Sequence, residues 1–350
     1  MEYRNKTIAW INGAKFMAIL GVLVDHTTMI LYTNQVYHWG SYFAVSLFIL
    51  ISGMLTYRSI GHHNYSYGRT VVHSLRKILI AYLIATFIYQ VWAFKTFDFT
   101  RYITGLIAFN TSGPFYYVLL YIHLMLVSKI LYTFVAFKTR PAFIKDATIG
   151  YCIIGISYVT TNYSNIMNVY GGGGKLLGGT YLFLFYLGMI FEKYHLFKNI
   201  TLPKSIASMI VGGVMYLLCL NFAYSDQLRF DIFTRFGGVN PPGISFISLA
   251  LCMICWCYGF FNVVNRIKHL SFVVRFVSWL GSHTLYIFLF HRFWLDYILC
   301  PYVAISNIYL KNVVYYGVMI GGSIFIEVSL GCMAKLYRNV KMDRKIPVTD

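Results

Sequence analysis

Long apolar runs separated by short polar connections make up most of this chain. About ten of them reach or approach the ~20 residues that cross a bilayer as a helix. They fall near residues 8–31, 41–57, 76–94, 115–137, 147–161, 178–194, 206–223, 244–262, 277–298 and 313–336, the fifth and sixth being short. The pattern predicts an all-α polytopic membrane protein with about ten transmembrane helices.

The basic residues test that count independently. With the N-terminus in the cytoplasm, the inner connections and tails hold 20 Lys and Arg, from Arg4 and Lys6 through Arg58, Arg69, Arg76 and Lys77 to Arg344 and Lys345. The outer connections hold six: Lys95, Arg101, Lys175, Arg229, Arg235 and Lys311. This is the asymmetry the positive-inside rule requires. Both termini are then expected in the cytoplasm, with residues 1–336 as one membrane domain and 337–350 as a short basic tail.

Composition agrees. Hydrophobic residues are 58% of the chain and charged residues 11%, against about 25% charged in soluble domains. The formal net charge of +18 would point to nucleic acid in a soluble protein. In short loops on one side of a membrane it points to anionic lipid headgroups instead. No A-x-A-like cleavage site follows the first run, so that run is expected to remain as a helix of a multi-pass inner-membrane protein. Met1-Glu2 excludes N-myristoylation, and the C-terminal residues form no prenylation box.

Some features carry little chemistry. Cys252, Cys255 and Cys257 share a span with no accompanying His or acid, so they read as packing residues and no metal site is expected. Gly171–Gly174 lacks the strand, Lys-Ser/Thr and helix of a phosphate loop and reads as a flexible connection.

Polar residues at membrane depth are costly unless they face a protein interior, so they are the site candidates. They are Lys15, Asp25, His26, His123, Lys129, His291, Arg292 and Glu327. Lys129 can snorkel, Arg292 can pair with Asp296 four residues on, and His123 reads as a hydrogen-bonded packing residue. Lys15 and His26 are eleven residues apart, which returns a helix to within roughly 20° of the same face and separates the two by about 16 Å along its axis. His26 and His291 are expected at one depth in the outer half. Lys15 and Glu327 are expected at a common inner depth, where an ion pair between them is geometrically open. Asp25 is about 100° round the helix from His26 and a poor orienting partner for it.

Five segments together resemble a known family. They are Lys15-x10-His26; Leu47-Phe48-Ile49-Leu50-Ile51-Ser52-Gly53-Met54-Leu55; Arg69-x6-Arg76-Lys77-Ile78-Leu79-Ile80-Ala81-Tyr82; Gly113-Pro114-Phe115-Tyr116-Tyr117-Val118-Leu119; and Trp279 through His291. In this order over about residues 8–335 they resemble the membrane-integral acyltransferase-3 family. The departures are Lys15 where the family has Arg, which loses the planar two-pronged contact, and His73 where the basic motif has its first Arg.

The resemblance implies an O-acyltransferase moving an acyl group, most often acetyl, from cytoplasmic acyl-coenzyme A to a hydroxyl of a cell-surface polysaccharide or lipid-linked glycan. Acetyl-coenzyme A is then a donor substrate, and no tightly bound cofactor and no nucleic-acid partner is expected. On this reading Arg69, Arg76 and Lys77 receive the nucleotide phosphates, Lys15 and Ser52 line the path of the donor arm, and His26 is the general base. An acyl-histidine intermediate is the second mechanism. Ser52-Gly53 serves close helix approach or gives a polar spot in the acyl channel. Tyr116 and Tyr117 are interfacial anchors or stack on the acceptor. His291 packs or touches the site, and Glu327 neutralises a buried cation. The competing class is a polysaccharide exporter or small-solute transporter using the same charges as a pathway.

Overall fold

The computed structural model describes residues 2–34, 36–62, 67–166, 178–179, 181–198, 201–224 and 244–343. Gly171–Gly174, Lys175, Arg229, Arg235, Arg344 and Lys345 lie outside the described residues, as do the side chains of Arg69 and His73. The described residues are helical, with no strand beyond a single bridge between Thr28 and Tyr32. In chain order the helices are α1 (Glu2–Thr27), α2 (Val36–Ser41), α3 (Phe43–His62), α4 (Tyr67–Phe94), α5 (Phe99–Ala108), α6 (Tyr116–Ala136) and α7 (Ala142–Ile166). They continue as α8 (Tyr181–Lys193), α9 (Leu202–Tyr224), α10 (Ile244–Val264), α11 (Ser271–Ser282), α12 (Thr284–Trp294), α13 (Cys300–Tyr302) and α14 (Ile308–Asp343).

Each of the ten apolar runs is helical, but they do not all qualify alike as spans. Among the described residues seven helices are long and apolar enough to cross a membrane, or eight if one bent pair counts as a span. α8 has 13 residues, about 20 Å against a hydrocarbon core of ~30 Å. α1 has 26 residues, about 39 Å at 1.5 Å per residue, which is length enough to cross that core. The ninth run, expected as one helix, is broken. α11 and α12 meet at His283 with a bend of 71° between Lys268–Ser282 and Thr284–Tyr302. No proline marks that break, so hydropathy alone passes straight through it.

Contacts sort the helix ends into two groups, as an up-and-down order requires. At one end Arg58 donates two hydrogen bonds of 2.9 Å to Glu192. There too Lys193 binds Asp146, and the Tyr194 hydroxyl donates to the same carboxylate at 2.7 Å. That carboxylate pushes the Tyr194 pKa up to about 12, keeping the phenol a donor. Trp10 at the start of α1 packs on Phe197 there. At the opposite end Tyr216 donates to the Gly40 carbonyl, Tyr89 to the Leu289 carbonyl at 3.1 Å, and Lys311 to the Ile30 carbonyl at 3.4 Å.

Inside lipid, apolar surface gains little from leaving the acyl chains, so close backbone approach carries much of the packing. α3 and α8 cross through glycines. A Cβ on Gly53 would stand 2.0 Å from the Phe185 carbonyl oxygen, and one on Gly188 would stand 2.1 Å from that of Leu50. The helix-approach reading of Ser52-Gly53 therefore falls on Gly53, leaving Ser52 free to face elsewhere.

Candidate active site

α1 and α12 pack together and bring two imidazoles face to face. The ring centroids of His26 and His291 are 5.0 Å apart with an interplanar angle of 34°. His291 is fully buried. Its Nδ1 lies 2.7 Å from the Phe288 carbonyl oxygen and 3.2 Å from that of Ile287. Carbonyl oxygens only accept, so Nδ1 carries the proton and Nε2 keeps its lone pair. That Nε2 is buried with no hydrogen-bond partner. The site therefore holds a lone pair able to accept a proton, beside a second ring that is only half-buried.

Charged pairs flank this couple. Asp25 does not orient His26, as its position round the helix foretold. Its Oδ1 instead meets His38 Nδ1 at 2.7 Å and accepts from Ser41 Oγ at 3.3 Å. The short helix α2 is thereby fastened over the end of α1. Arg292 pairs with Asp296 at 2.9 Å, the i, i+4 pair expected from sequence, and its charge reaches His26. His38 was missed because it precedes the second apolar run. Its one readable signal is the three-residue spacing to Ser41, which puts both on one helical face.

About 16 Å along α1 from His26, Lys15 enters a cavity of about 270 Å³ shared with Ser52, Thr56, Ser59, Tyr121 and Ser128. Ser52, Thr56 and Ser59 follow i, i+4, i+7 and give α3 a hydroxyl stripe. Lys15 Nζ donates to Asn12 Oδ1 at 3.5 Å, and Asn12 in turn reaches Ser278 Oγ on α11 at 3.5 Å. α11 can lie this close because of Gly281, where a Cβ would stand 1.9 Å from the Asn12 carbonyl oxygen.

A chain of contacts joins cavity and imidazoles. Tyr121 of the cavity wall stacks on Tyr117 with ring centroids 6.3 Å apart, the Tyr117 ring lies 4.9 Å from Phe288, and Phe288 lies 6.0 Å from His291. Tyr117 is therefore buried within the bundle rather than anchored at the headgroups. Tyr116 is hydrogen-bonded to Tyr181 of α8.

Glu327 does not take up the ion pair with Lys15 that its depth left open. Its carboxylate meets His283 Nδ1 at 2.8 Å and Lys77 Nζ at 4.0 Å. Glu327 thus belongs with the basic mouth of α4 rather than with the imidazole pair, because the break at His283 turns that ring toward α14. Arg76 and Lys77 are exposed on α4, and the Lys77 charge is close enough to act on Lys15. No group of three or more His, Cys, Asp or Glu able to hold a metal occurs among the described residues.

A family model described as an acyltransferase domain matches residues 8–332, which takes in every site residue named above. The chain belongs to the acyltransferase-3 family. No curated protein and no solved structure matches it. As a member of that family with several apolar spanning helices, the protein is a multi-pass membrane acyltransferase. The motif residues Lys15, Ser52, Tyr117, His26 and His291 form one connected string of cavity, ring and imidazole. Arg76, Lys77 and Glu327 lie about its basic end, where α4 also carries Arg69.

Proposed function

We propose that this acyltransferase transfers an acetyl group from cytoplasmic acetyl-coenzyme A to a hydroxyl of a cell-surface polysaccharide or its lipid-linked precursor. The observation that carries the reading is the string from Lys15 to His26: a cation in a hydroxyl-lined cavity, connected through Tyr117 and Phe288 to an imidazole pair with one ring buried and one half-buried.

The positive-inside asymmetry supports placing the basic end, and both termini, in the cytoplasm. The phosphates of coenzyme A cannot enter hydrocarbon, and Arg69, Arg76 and Lys77 on the first turns of α4 offer them charge-assisted hydrogen bonds. Glu327, bound to Lys77 and His283, tempers that positive field. The narrow pantetheine arm fits a passage walled by Ser52, Thr56 and Ser59, with Lys15 beside it.

At the inner end of the arm the thioester meets the acceptor hydroxyl. A neutral imidazole takes the hydroxyl proton as oxygen attacks the thioester carbonyl. The C–S bond breaks, the acyl group remains on oxygen, and the imidazolium returns its proton to the departing thiolate. His26 is the base in this scheme, with the lone pair of His291 as its neighbour. Neither step calls for a metal or a bound cofactor.

The test uses purified protein, radiolabelled acetyl-coenzyme A and surface glycan from the host cell. The unaltered protein labels the glycan, and His26→Ala does not. Equal labelling by both removes the mechanism. Movement of glycan with no dependence on acetyl-coenzyme A replaces it with an exporter.

A further inference from the structure

A second, larger recess lies at the opposite end of the bundle from the basic mouth. It has a volume of about 530 Å³ and is walled by the end of α4, the amphipathic α5, the turn that follows α5, and Tyr297. That size falls in the ~300–1,000 Å³ range of small-molecule sites. None of its residues belongs to a motif that carries the family resemblance.

Just beneath its floor lie two polar atoms that nothing in the protein satisfies. Gln90 is 5% exposed; its Nε2 donates to the Arg101 carbonyl at 2.8 Å, while its Oε1 has no hydrogen-bond partner. Thr111 Oγ1 is likewise buried without one. Gly105 lets α5 close tightly on both side chains and so seals the floor. A Cβ there would meet Thr111 Oγ1 at 2.5 Å and Gln90 Nε2 at 2.9 Å, intruding on the two groups left wanting.

The lining identifies the ligand's chemistry. Carboxamides and hydroxyls of Gln90, Asn110, Thr100, Thr104 and Thr111 alternate with the rings of Tyr89, Phe94 and Tyr297. Its two formal charges, Asp98 and Arg101, are of opposite sign. Asp98 caps α5 by accepting from the Arg101 backbone at 3.1 Å, and the Arg101 guanidinium lies 3.9 Å over the Phe94 ring. A phosphate headgroup would want net positive charge. Neutral amide and hydroxyl donors beside aromatic faces suit a sugar, whose hydroxyls hydrogen-bond and whose C–H faces pack on rings.

We propose that this recess is a saccharide-binding site that holds a neutral sugar of the acceptor while another part of the glycan reaches the imidazoles. It shares a wall with the reaction centre. Tyr89 donates to the Leu289 carbonyl of α12, its ring lies 5.5 Å from Phe293, and Tyr297 stands one residue beyond the Asp296 that pairs with Arg292. The assignment rests on the acyl-transfer reading for its purpose, but binding itself does not require catalysis.

The experiment is therefore a donor-free binding measurement, with saturation-transfer NMR on the full chain in nanodiscs and oligosaccharides released from the host's surface glycan as probe. The unaltered protein and Gly317→Ala bind equally, whereas Thr104→Trp and Asn110→Leu bind about tenfold more weakly, the loss expected when a cleft is filled or a hydrogen bond forfeited. Thermal unfolding shows whether each variant is folded. For a variant that is not, Thr104→Cys at the rim serves instead, its thiol labelling slowed by the oligosaccharides. In turnover, the cleft variants raise the KM for glycan and leave the KM for acetyl-coenzyme A unchanged. Unaltered binding in folded cleft variants, or displacement of the sugar by glycerol phosphate, overturns the assignment. Cleft-dependent binding by a protein that transfers no acetyl group overturns the acyl-transfer reading and leaves the saccharide site standing.

Discussion

The rings of His26 and His291 lie 5.0 Å apart, one from the first helix of the chain and the other from the twelfth. If the two act as one proton-handling unit, their substitutions are not additive. His26→Ala is expected to lower acetyl transfer by about 10²- to 10⁴-fold, the usual contribution of a positioned base. His291→Ala is expected to cost less, and the double variant to be no worse than His26→Ala alone. Single-turnover rates with labelled acetyl-coenzyme A measure all three, and losses that multiply would show two independent roles.

Lys15 and the α3 hydroxyl stripe are expected to govern the donor. Lys15→Met should raise the KM for acetyl-coenzyme A by roughly tenfold, about 1.4 kcal/mol, with the KM for glycan unmoved. Ser59→Leu, which narrows the same cavity, should act in the same direction. Steady-state kinetics with each substrate varied in turn decides the matter; a change confined to the glycan KM would put the cavity on the acceptor's path.

The glycine crossing of α3 and α8 sets a stability expectation. Gly53→Val forces two backbones apart and should cost about 3 kcal/mol, the upper part of the overpacking range. Gly317→Ala, which meets nothing within 4 Å, should stay within about 0.5 kcal/mol of the unaltered protein. Thermal unfolding in one detergent compares them, and equal melting temperatures would mean that the crossing is slack.

Arg58 and Glu192 offer a second. The pair is part-buried and joined by two charge-assisted hydrogen bonds, so Glu192→Gln should destabilise by about 1.5–3 kcal/mol. The exchanged pair Arg58→Glu with Glu192→Arg should recover part of that loss. A double-mutant cycle showing no coupling would reduce this contact to surface decoration.

Orientation has its own check. A thiol introduced as Thr96→Cys, beyond the end of α4, should react with a membrane-impermeant maleimide on intact cells, and Thr201→Cys, before α9, should not. The reverse labelling would invert the assignment of the basic end to the cytoplasm.

Much of the fold was legible because lipid imposes a simple rule: apolar runs become helices, and the described residues of all ten runs are largely helical, the ninth in two pieces. Lys15 and His26 could be singled out for the same reason, since a polar group within such a run is costly unless it faces a protein interior. The partners were not. Periodicity places a residue on a face but does not say which helix lies opposite, so Glu327 was matched by depth with Lys15 when it meets His283 and Lys77. The bend at His283 left no proline to announce it. The second recess was invisible because Gln90, Thr104, Asn110 and Tyr297 are individually ordinary and come together only when α5 folds back on α4.

The cluster of Phe48, Tyr117 and Phe288 has a bioenergetic consequence. A protein with a wet recess toward each leaflet is one short step from being a proton leak, and a cell that lives on its membrane potential cannot tolerate one. On the acyl-transfer reading, three aromatic rings between the lysine cavity and the imidazole pair would be the stopper that water wires do not cross, keeping the bilayer electrically tight between turnovers.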